Sequence, residues 1–315
     1  MTENLNNTPP DYNFKDEPHV NPSVAAILAL IFVFILYQFG GGLLHILIFG
    51  FDLKEANMNA FRLFTMGGQI LFILAPTIII ANAVYQNKVS EVLRIKIPNW
   101  KEIIIFILGL ALFVPFLQNF IIFQSYIIQE LAELSSFFST LKIFFDEMDK
   151  LLASTYGDIL STTYVLEMIL VVLVVAVTPA FCEEFFFRGF VQKSFEYSIK
   201  PFWAIIISST VFSLYHFNPY GFFALVILAG YFGFSAYISK SIFIPILLHF
   251  LNNLFSIIAY FIEGEDELLI NSAVSFDEFQ ANLFSLVAFT FLIILFLFFV
   301  KKYYYKFTNK IEEAS

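Results

Sequence analysis

The chain has 315 residues, of which 59% are hydrophobic and 14% are charged, and its formal net charge is −9. Soluble domains contain about 25% charged residues, so this composition, with 44 phenylalanines, indicates a chain solvated by lipid and excludes an ordinary soluble fold, a coiled coil or a disordered protein. An acidic chain without a basic stripe is not expected to bind nucleic acid, and the single cysteine, Cys182, excludes an intramolecular disulfide and a cysteine-cluster metal site.

Long uncharged runs recur along the sequence and predict an all-α polytopic membrane protein with about eight transmembrane helices. A helix needs about 20 apolar residues to cross a bilayer. In the middle of the longest run, the sequence from His216 to Gly221 contains Asn, Pro and Gly and should separate two helices. The predicted spans, in chain order, are 23–51, 63–87, 103–129, about 167–192, two within 201–239, then 241–262 and 279–300.

The predicted helices divide the chain into four parts. Residues 1–22 form a polar cytoplasmic tail, and residues 23–161 contain helices one to three with a long outer loop. Residues 162–262 contain helices four to seven. Residues 263–315 contain a second outer loop, helix eight and a basic cytoplasmic tail.

The connection at about 125–161 has apolar residues at helical spacing among acidic ones, such as Ile127, Leu131 and Leu134. This pattern is typical of an amphipathic helix at the membrane interface. A substrate-gating element is the alternative. We expect this outer segment not to reach the water that the polar residues described below would hold.

The distribution of basic residues predicts that both termini are cytoplasmic. Cytoplasmic loops carry an excess of Lys and Arg. With the N-terminus inside, twelve basic residues lie in cytoplasmic segments. Only four lie outside, namely Lys54, Arg62, Lys142 and Lys150.

Ionisable side chains within the predicted spans are few, and they cluster in helices four, five and seven. Such residues cost roughly 2.5–3.5 kcal/mol each on insertion scales, so they mark function. Glu184 and Arg188 are four residues apart and can pair on one helix face, whereas Glu183 is rotated by about 100° and is left free to ionise or to bind water. His216 and His249 follow on later helices, and His249 is four residues from Asn253.

The chemistry that this set supports is hydrolysis. A carboxylate can take a proton from water that a histidine holds, and a histidine and an asparagine amide can donate to a developing oxyanion. Alternatively, Glu183, His216 and His249 could bind a divalent metal, with zinc the first choice. The residues alone do not decide between a zinc-bound water and a metal-free water that glutamate activates.

Three short motifs in order resemble those of the CPBP family, the CAAX proteases and bacteriocin-processing enzymes. Glu183 to Arg188 is similar to the family's EExxxR motif, Phe212 to His216 to its FxxxH motif, and His249 to Asn253 to its HxxxN motif. The resemblance covers about 167–260. It implies an eight-helix intramembrane endopeptidase with a catalytic core at 162–262, in helices four to seven. No site for an organic cofactor is expected.

The resemblance also implies a role for each motif residue. Glu183 would be the general base, acting with His216 on the catalytic water. His249 and Asn253 would stabilise the oxyanion, while Glu184 and Arg188 would hold the site. The substrate would be a membrane-associated peptide or protein, and membrane lipid the other partner.

The Phe-, Ile-, Lys- and Asn-rich composition is typical of a low-GC bacterium, so we expect a location in the bacterial cytoplasmic membrane. Such a cell has no prenylated CAAX proteins, and the substrate is therefore left open. The rival hypotheses are a non-catalytic immunity or partner-binding scaffold and a small-molecule transporter. A transporter would more plausibly show internal repeats.

Overall fold

A computed structural model describes residues 20–50, 57–264 and 274–308. In these ranges the chain is helical and contains no strand. Most of the predicted N-terminal tail, the predicted loop around 265–273 and the end of the basic C-terminal tail lie outside the described residues. The helices, in chain order, are α1 Pro22–Phe49, α2 Met58–Val92, α3 Trp100–Leu134, α4 Ser136–Leu160, α5 Val165–Glu196, α6 Pro201–Tyr215, α7 Phe222–Ser239, α8 Phe243–Glu263 and α9 Phe276–Thr308.

The predicted fold class is confirmed. Within the described residues, seven helices are long and apolar enough to cross a membrane, and α6 is a shorter apolar helix of 15 residues. The break between α6 and α7 falls at residues 216–221, as the Asn, Pro and Gly content predicts. The protein is therefore an all-α, multi-span membrane protein.

The segment between the third and fourth spans, predicted as a long outer connection with an amphipathic helix, is helical on both sides of a single residue. Helix α3 continues to Leu134, and α4 begins only two residues later. Ser135 has an extended backbone, and its side chain accepts a hydrogen bond from the backbone N–H of Phe138, so it ends one helix and caps the next. Because the reversal takes a single residue, α4 folds back along α3 as a helical hairpin.

Arg62 of α2 holds the end of α4 against α2 and α5. This side chain is 1% exposed. Its guanidinium donates to the carbonyl oxygens of Ile159 and Ser161, both at 2.8 Å, and pairs with Glu167 of α5 at 3.5 Å. One of the four basic residues that we assigned to outer loops is thus a buried connector between three segments.

Helix α5 lies at the centre of the helices that form the site, and it contacts α1, α2, α6, α7 and α8. Two of its turns are π-helical, at Leu173–Val177 and Phe185–Val191. Such turns are rare and frequently lie at functional sites, because they redirect side chains and free backbone carbonyls.

The orientation in the membrane stays a prediction, which cysteine labelling can test. Lys150 of α4 has a side chain that is 64% exposed, and Lys200 is exposed in the turn between α5 and α6. In a Cys182→Ser background, we expect Lys150→Cys in intact cells to react with a membrane-impermeant maleimide. Lys200→Cys should react only with a permeant one, and the opposite pattern would invert the proposed topology.

Candidate active site

Three of the predicted site residues form one hydrogen-bonded unit. The Arg188 guanidinium Nη1 lies 2.7 Å from Oε1 of Glu184, and neither side chain is exposed. The same carboxylate oxygen lies 2.8 Å from Nδ1 of His249. Because an ionised carboxylate can only accept, Nδ1 of His249 carries the hydrogen, and the Nε2 atom on the opposite side of the ring is left for other partners.

Aromatic rings enclose this unit. The Arg188 guanidinium carbon lies 4.4 Å from the ring centre of Phe212 and 5.7 Å from that of Phe232, which favours the cation. The His249 ring stacks on Phe232 at 5.7 Å and meets Phe212 edge-on at 6.0 Å. Arg188 also donates through Nη2 to the carbonyl oxygen of Ala229 at 3.2 Å. The charge is therefore fixed from three directions in a water-poor environment.

Glu183, the neighbour of Glu184 in sequence, differs from it in having no such partner. It is partly buried, and its Oε2 atom is enclosed without a hydrogen bond. Within residues 57–264, no hydrogen bond joins its carboxylate to His216 or to His249. Oε2 of Glu184 is likewise enclosed without a hydrogen bond, so the two carboxylates differ in the pairing of Oε1 of Glu184 with Arg188 and His249. The 100° rotation between the two residues accounts for the pairing of Arg188 with Glu184 rather than with Glu183.

His216 follows the last residue of α6, where the helix ends. Its Nδ1 atom lies 2.8 Å from the carbonyl oxygen of Phe212. A carbonyl only accepts, so Nδ1 carries the hydrogen and Nε2 of the neutral ring is an acceptor. The Phe212 ring packs 4.5 Å from His216 and 6.0 Å from His249, and the two histidines therefore flank one phenylalanine.

Asn253 connects α8 to α5. Its amide nitrogen donates to the carbonyl oxygen of Val175 at 2.9 Å. This carbonyl lies in the π-helical turn Leu173–Val177. In a regular helix it would receive the N–H of residue 179, which is a proline without one. The Asn253 amide therefore gives this turn a donor from another helix.

The sequence did not predict that three uncharged polar side chains lie in the surroundings of Glu183. The Glu183 carboxylate lies within electrostatic range of the hydroxyls of Tyr37 in α1 and Tyr156 in α4, and Gln69 of α2 hydrogen-bonds to Tyr37. The hydroxyl of Tyr156 is enclosed by protein although the residue is 44% exposed overall. This burial, with a further contribution from Glu183, raises the pKa of Tyr156 and keeps the hydroxyl protonated.

The position of Tyr156 shows that α4 comes near Glu183. Helix α4 packs against α2 and α5 as well as α3, and this packing places Tyr156 within electrostatic range of the carboxylate. The expectation that residues 125–161 do not reach the catalytic water stays a prediction.

Glu183, His216 and His249 carry the kinds of donor atom that a zinc ion binds. Both histidines retain one ring nitrogen, but no three His, Cys, Asp or Glu side chains of the described residues come together as a metal site requires. A zinc ion held by Glu183, His216 and His249 stays a prediction from the sequence.

Residues 165–255 match the family model described as type II CAAX prenyl endopeptidase Rce1-like. This part of the chain is Rce1-like. The comparisons with curated proteins and with solved structures found no match.

The Rce1-like segment extends from the start of α5 into α8 and contains all six predicted site residues. The family resemblance predicted from the three motifs is thereby confirmed. It supports a membrane-embedded protease activity of the CAAX type, with peptide substrates in a lipid environment. Helices α1 to α4, which supply Tyr37, Gln69 and Tyr156, lie outside the segment.

Proposed function

We propose that this protein is an intramembrane endopeptidase of the bacterial cytoplasmic membrane, which hydrolyses membrane-associated peptides or proteins with a water activated by Glu183 and His216. The observation that carries the proposal is the contrast between two adjacent carboxylates. Oε1 of Glu184 is paired with both Arg188 and His249, whereas the described residues give the Glu183 carboxylate no hydrogen bond or ion pair. Oε2 of each carboxylate is enclosed without a partner. An enclosed and unsatisfied carboxylate is costly, and a catalytic base gives a reason to keep it.

The proton acceptors on this chain suit a bound water. The Glu183 carboxylate and Nε2 of neutral His216 can each accept one hydrogen of the water, whose lone pair then faces the scissile carbonyl carbon. As the new C–O bond forms, Glu183 takes the proton. When the C–N bond of the tetrahedral intermediate breaks, Glu183 returns that proton to the leaving amine.

His249 and Asn253 would stabilise the oxyanion of this intermediate. Because Nδ1 of His249 faces the Glu184 carboxylate, Nε2 is the ring nitrogen that is left to face the oxyanion, and it donates to the oxyanion when it carries a hydrogen. The amide of Asn253 has two hydrogens, and the bond to Val175 uses one of them. Glu184 and Arg188 then act as the support that orients His249.

A test of this function uses the purified full chain in liposomes, with quenched fluorescent peptides supplied either on a lipid anchor or in solution. We expect cleavage of anchored peptides, identified by mass spectrometry of the products, and much slower cleavage of the soluble ones. Absence of cleavage in every anchored library would favour the non-catalytic scaffold or the transporter.

The same assay separates the two kinds of activated water. We expect cleavage to persist after treatment with 1,10-phenanthroline and EDTA, since three ligands do not come together in the described residues. Loss of cleavage that zinc specifically restores would support the zinc site instead. Chelator-treated liposomes with an unrelated protease of known metal requirement serve as the control for complete metal removal.

A further inference from the structure

The turn that joins α6 to α7 begins with His216, so the backbone of this turn sets where the imidazole lies. We call residues 216–221 the His216 turn. Phe217 has a φ of +49°, in the left-handed region that non-glycine residues seldom adopt. Asn218 accepts the N–H of Gly221 through its side chain at 2.7 Å. A turn with one strained residue needs outside contacts to keep a single conformation.

Tyr220 supplies those contacts. It is 1% exposed, and its hydroxyl donates to Oδ1 of Asp146 in α4 at 2.5 Å. Its backbone carbonyl accepts from the side-chain amide of Gln124 in α3 at 2.8 Å. Its ring meets that of Phe145 edge-on at 5.7 Å. The α3–α4 hairpin therefore binds this one residue through backbone, ring and hydroxyl.

Among these contacts, the hydrogen bond of the Tyr220 hydroxyl is the one that involves a charged group, the Asp146 carboxylate. Asp146 also pairs with Lys142 at 2.8 Å, and its side chain is 18% exposed, so it is only partly screened by solvent. Burial of Tyr220, together with its bond to Asp146, raises the pKa of the hydroxyl, which therefore stays protonated and donates. A hydrogen bond from a hydroxyl to a carboxylate is roughly twice as strong as one between neutral groups.

We propose that Asp146 is a positioning residue for His216: through Tyr220 it holds the His216 turn, and so sets the direction in which the Nε2 atom points. This inference rests on the proposed function for its kinetic consequence but not for its geometry. It makes α4, which lies outside the Rce1-like segment, part of the machinery that orients the catalytic water. Asp146 itself touches neither the water nor the substrate.

The kinetic test compares variants that break this one bond. Tyr220→Phe removes the hydroxyl and keeps the ring, and Asp146→Ala removes the acceptor. We expect each to lower kcat about tenfold, because small displacements of an aligned group are costly to the rate, with KM changed less than about twofold. Asp146→Asn retains an acceptor oxygen and should recover most of the rate. Glu147→Ala is the matched control, since this neighbouring side chain is 70% exposed, and it should leave kcat unchanged.

A spectroscopic readout separates positioning from a loss of fold and from a failure of the proposed function. The chain has four histidines, so the imidazole signals of labelled protein in nanodiscs can be assigned with His216→Gln. Tyr220→Phe and Asp146→Ala should shift the His216 signals, their combination should shift them no further, and Glu147→Ala should leave them in place.

Unchanged His216 signals, or additive losses of kcat in the double variant, would overturn the proposal. If Tyr220→Phe does not fold, Asp146→Ala against Asp146→Asn makes the same comparison. If the wild-type protein cleaves no peptide, the proposed function fails, and the His216 signals still decide whether Asp146 orients the ring.

Discussion

Replacing Glu183 by Gln is expected to abolish peptide cleavage while the protein still inserts and purifies normally. The substitution keeps the size of the side chain and its capacity for hydrogen bonding, but it removes the group that takes the proton from water. General bases contribute about 10²–10⁴-fold to rates, so kcat in liposomes should fall by about three orders of magnitude. Because Oε2 of Glu183 has no partner to lose, the thermal midpoint should change little or rise.

The control for this prediction is a second glutamate on the same helix. Glu167 begins α5, where it accepts from Thr162 at 2.6 Å and from Asn59 at 2.8 Å. Glu167→Gln should leave kcat within about twofold of wild type, since this carboxylate lies in the connection to Arg62 rather than beside the histidines. A Glu183→Gln protein that turns over at a near wild-type rate would remove Glu183 from the role of base.

The second large effect is expected on folding, from the pair of Glu184 and Arg188. Removing one partner of a buried ion pair costs about 3–5 kcal/mol, because the other charge is left uncompensated. Arg188→Ala should therefore lower folded yield and thermal midpoint far more than Glu183→Gln does. Both side chains of the pair are fully buried, so solvent does not screen the charge that remains when its partner is removed.

The pair should also behave as a unit. The double change of Glu184→Gln with Arg188→Met removes both charges and fills similar volume, so it should recover part of the stability that Arg188→Ala loses. It should not recover catalysis, because His249 loses the carboxylate at its Nδ1. Removal of the exposed pair of Glu147 and Lys150 is the control and should change the midpoint little. Strictly additive losses from the two substitutions would argue against the pair.

The parts of this molecule that the sequence predicts are those with a large energetic penalty behind them. Apolar runs predict the spans because a helix of about 20 uncharged residues matches the thickness of the hydrocarbon layer of a bilayer. Glu184 with Arg188, and Phe212 with His216, are predicted by their spacing of four, and both contacts form. Charged groups within a span are rare enough that each one is conspicuous.

The features that the sequence did not predict depend on tertiary contacts or on uncharged polar groups. Tyrosine and glutamine carry no charge and are ordinary in membrane helices, so nothing in the sequence distinguished Tyr37, Gln69 and Tyr156 from other residues of their type. The reversal at Ser135 was not predicted because the helical spacing of apolar residues continues past this position, so the pattern predicts one amphipathic helix there. The bond of His249 to Glu184 joins residues far apart in the chain, which periodicity within one helix cannot reveal.

The contact between Asn253 and α5 has a consequence for anyone who transfers this site to another scaffold. The Asn253 amide donates to the Val175 carbonyl, which lies in the π-helical turn just before Pro179. A design that copies the motif residues but builds α5 as a regular helix, with alanine at 179, would give that carbonyl a backbone donor that competes with the amide. The π-helical turn, Pro179 and Asn253 therefore have to be copied together.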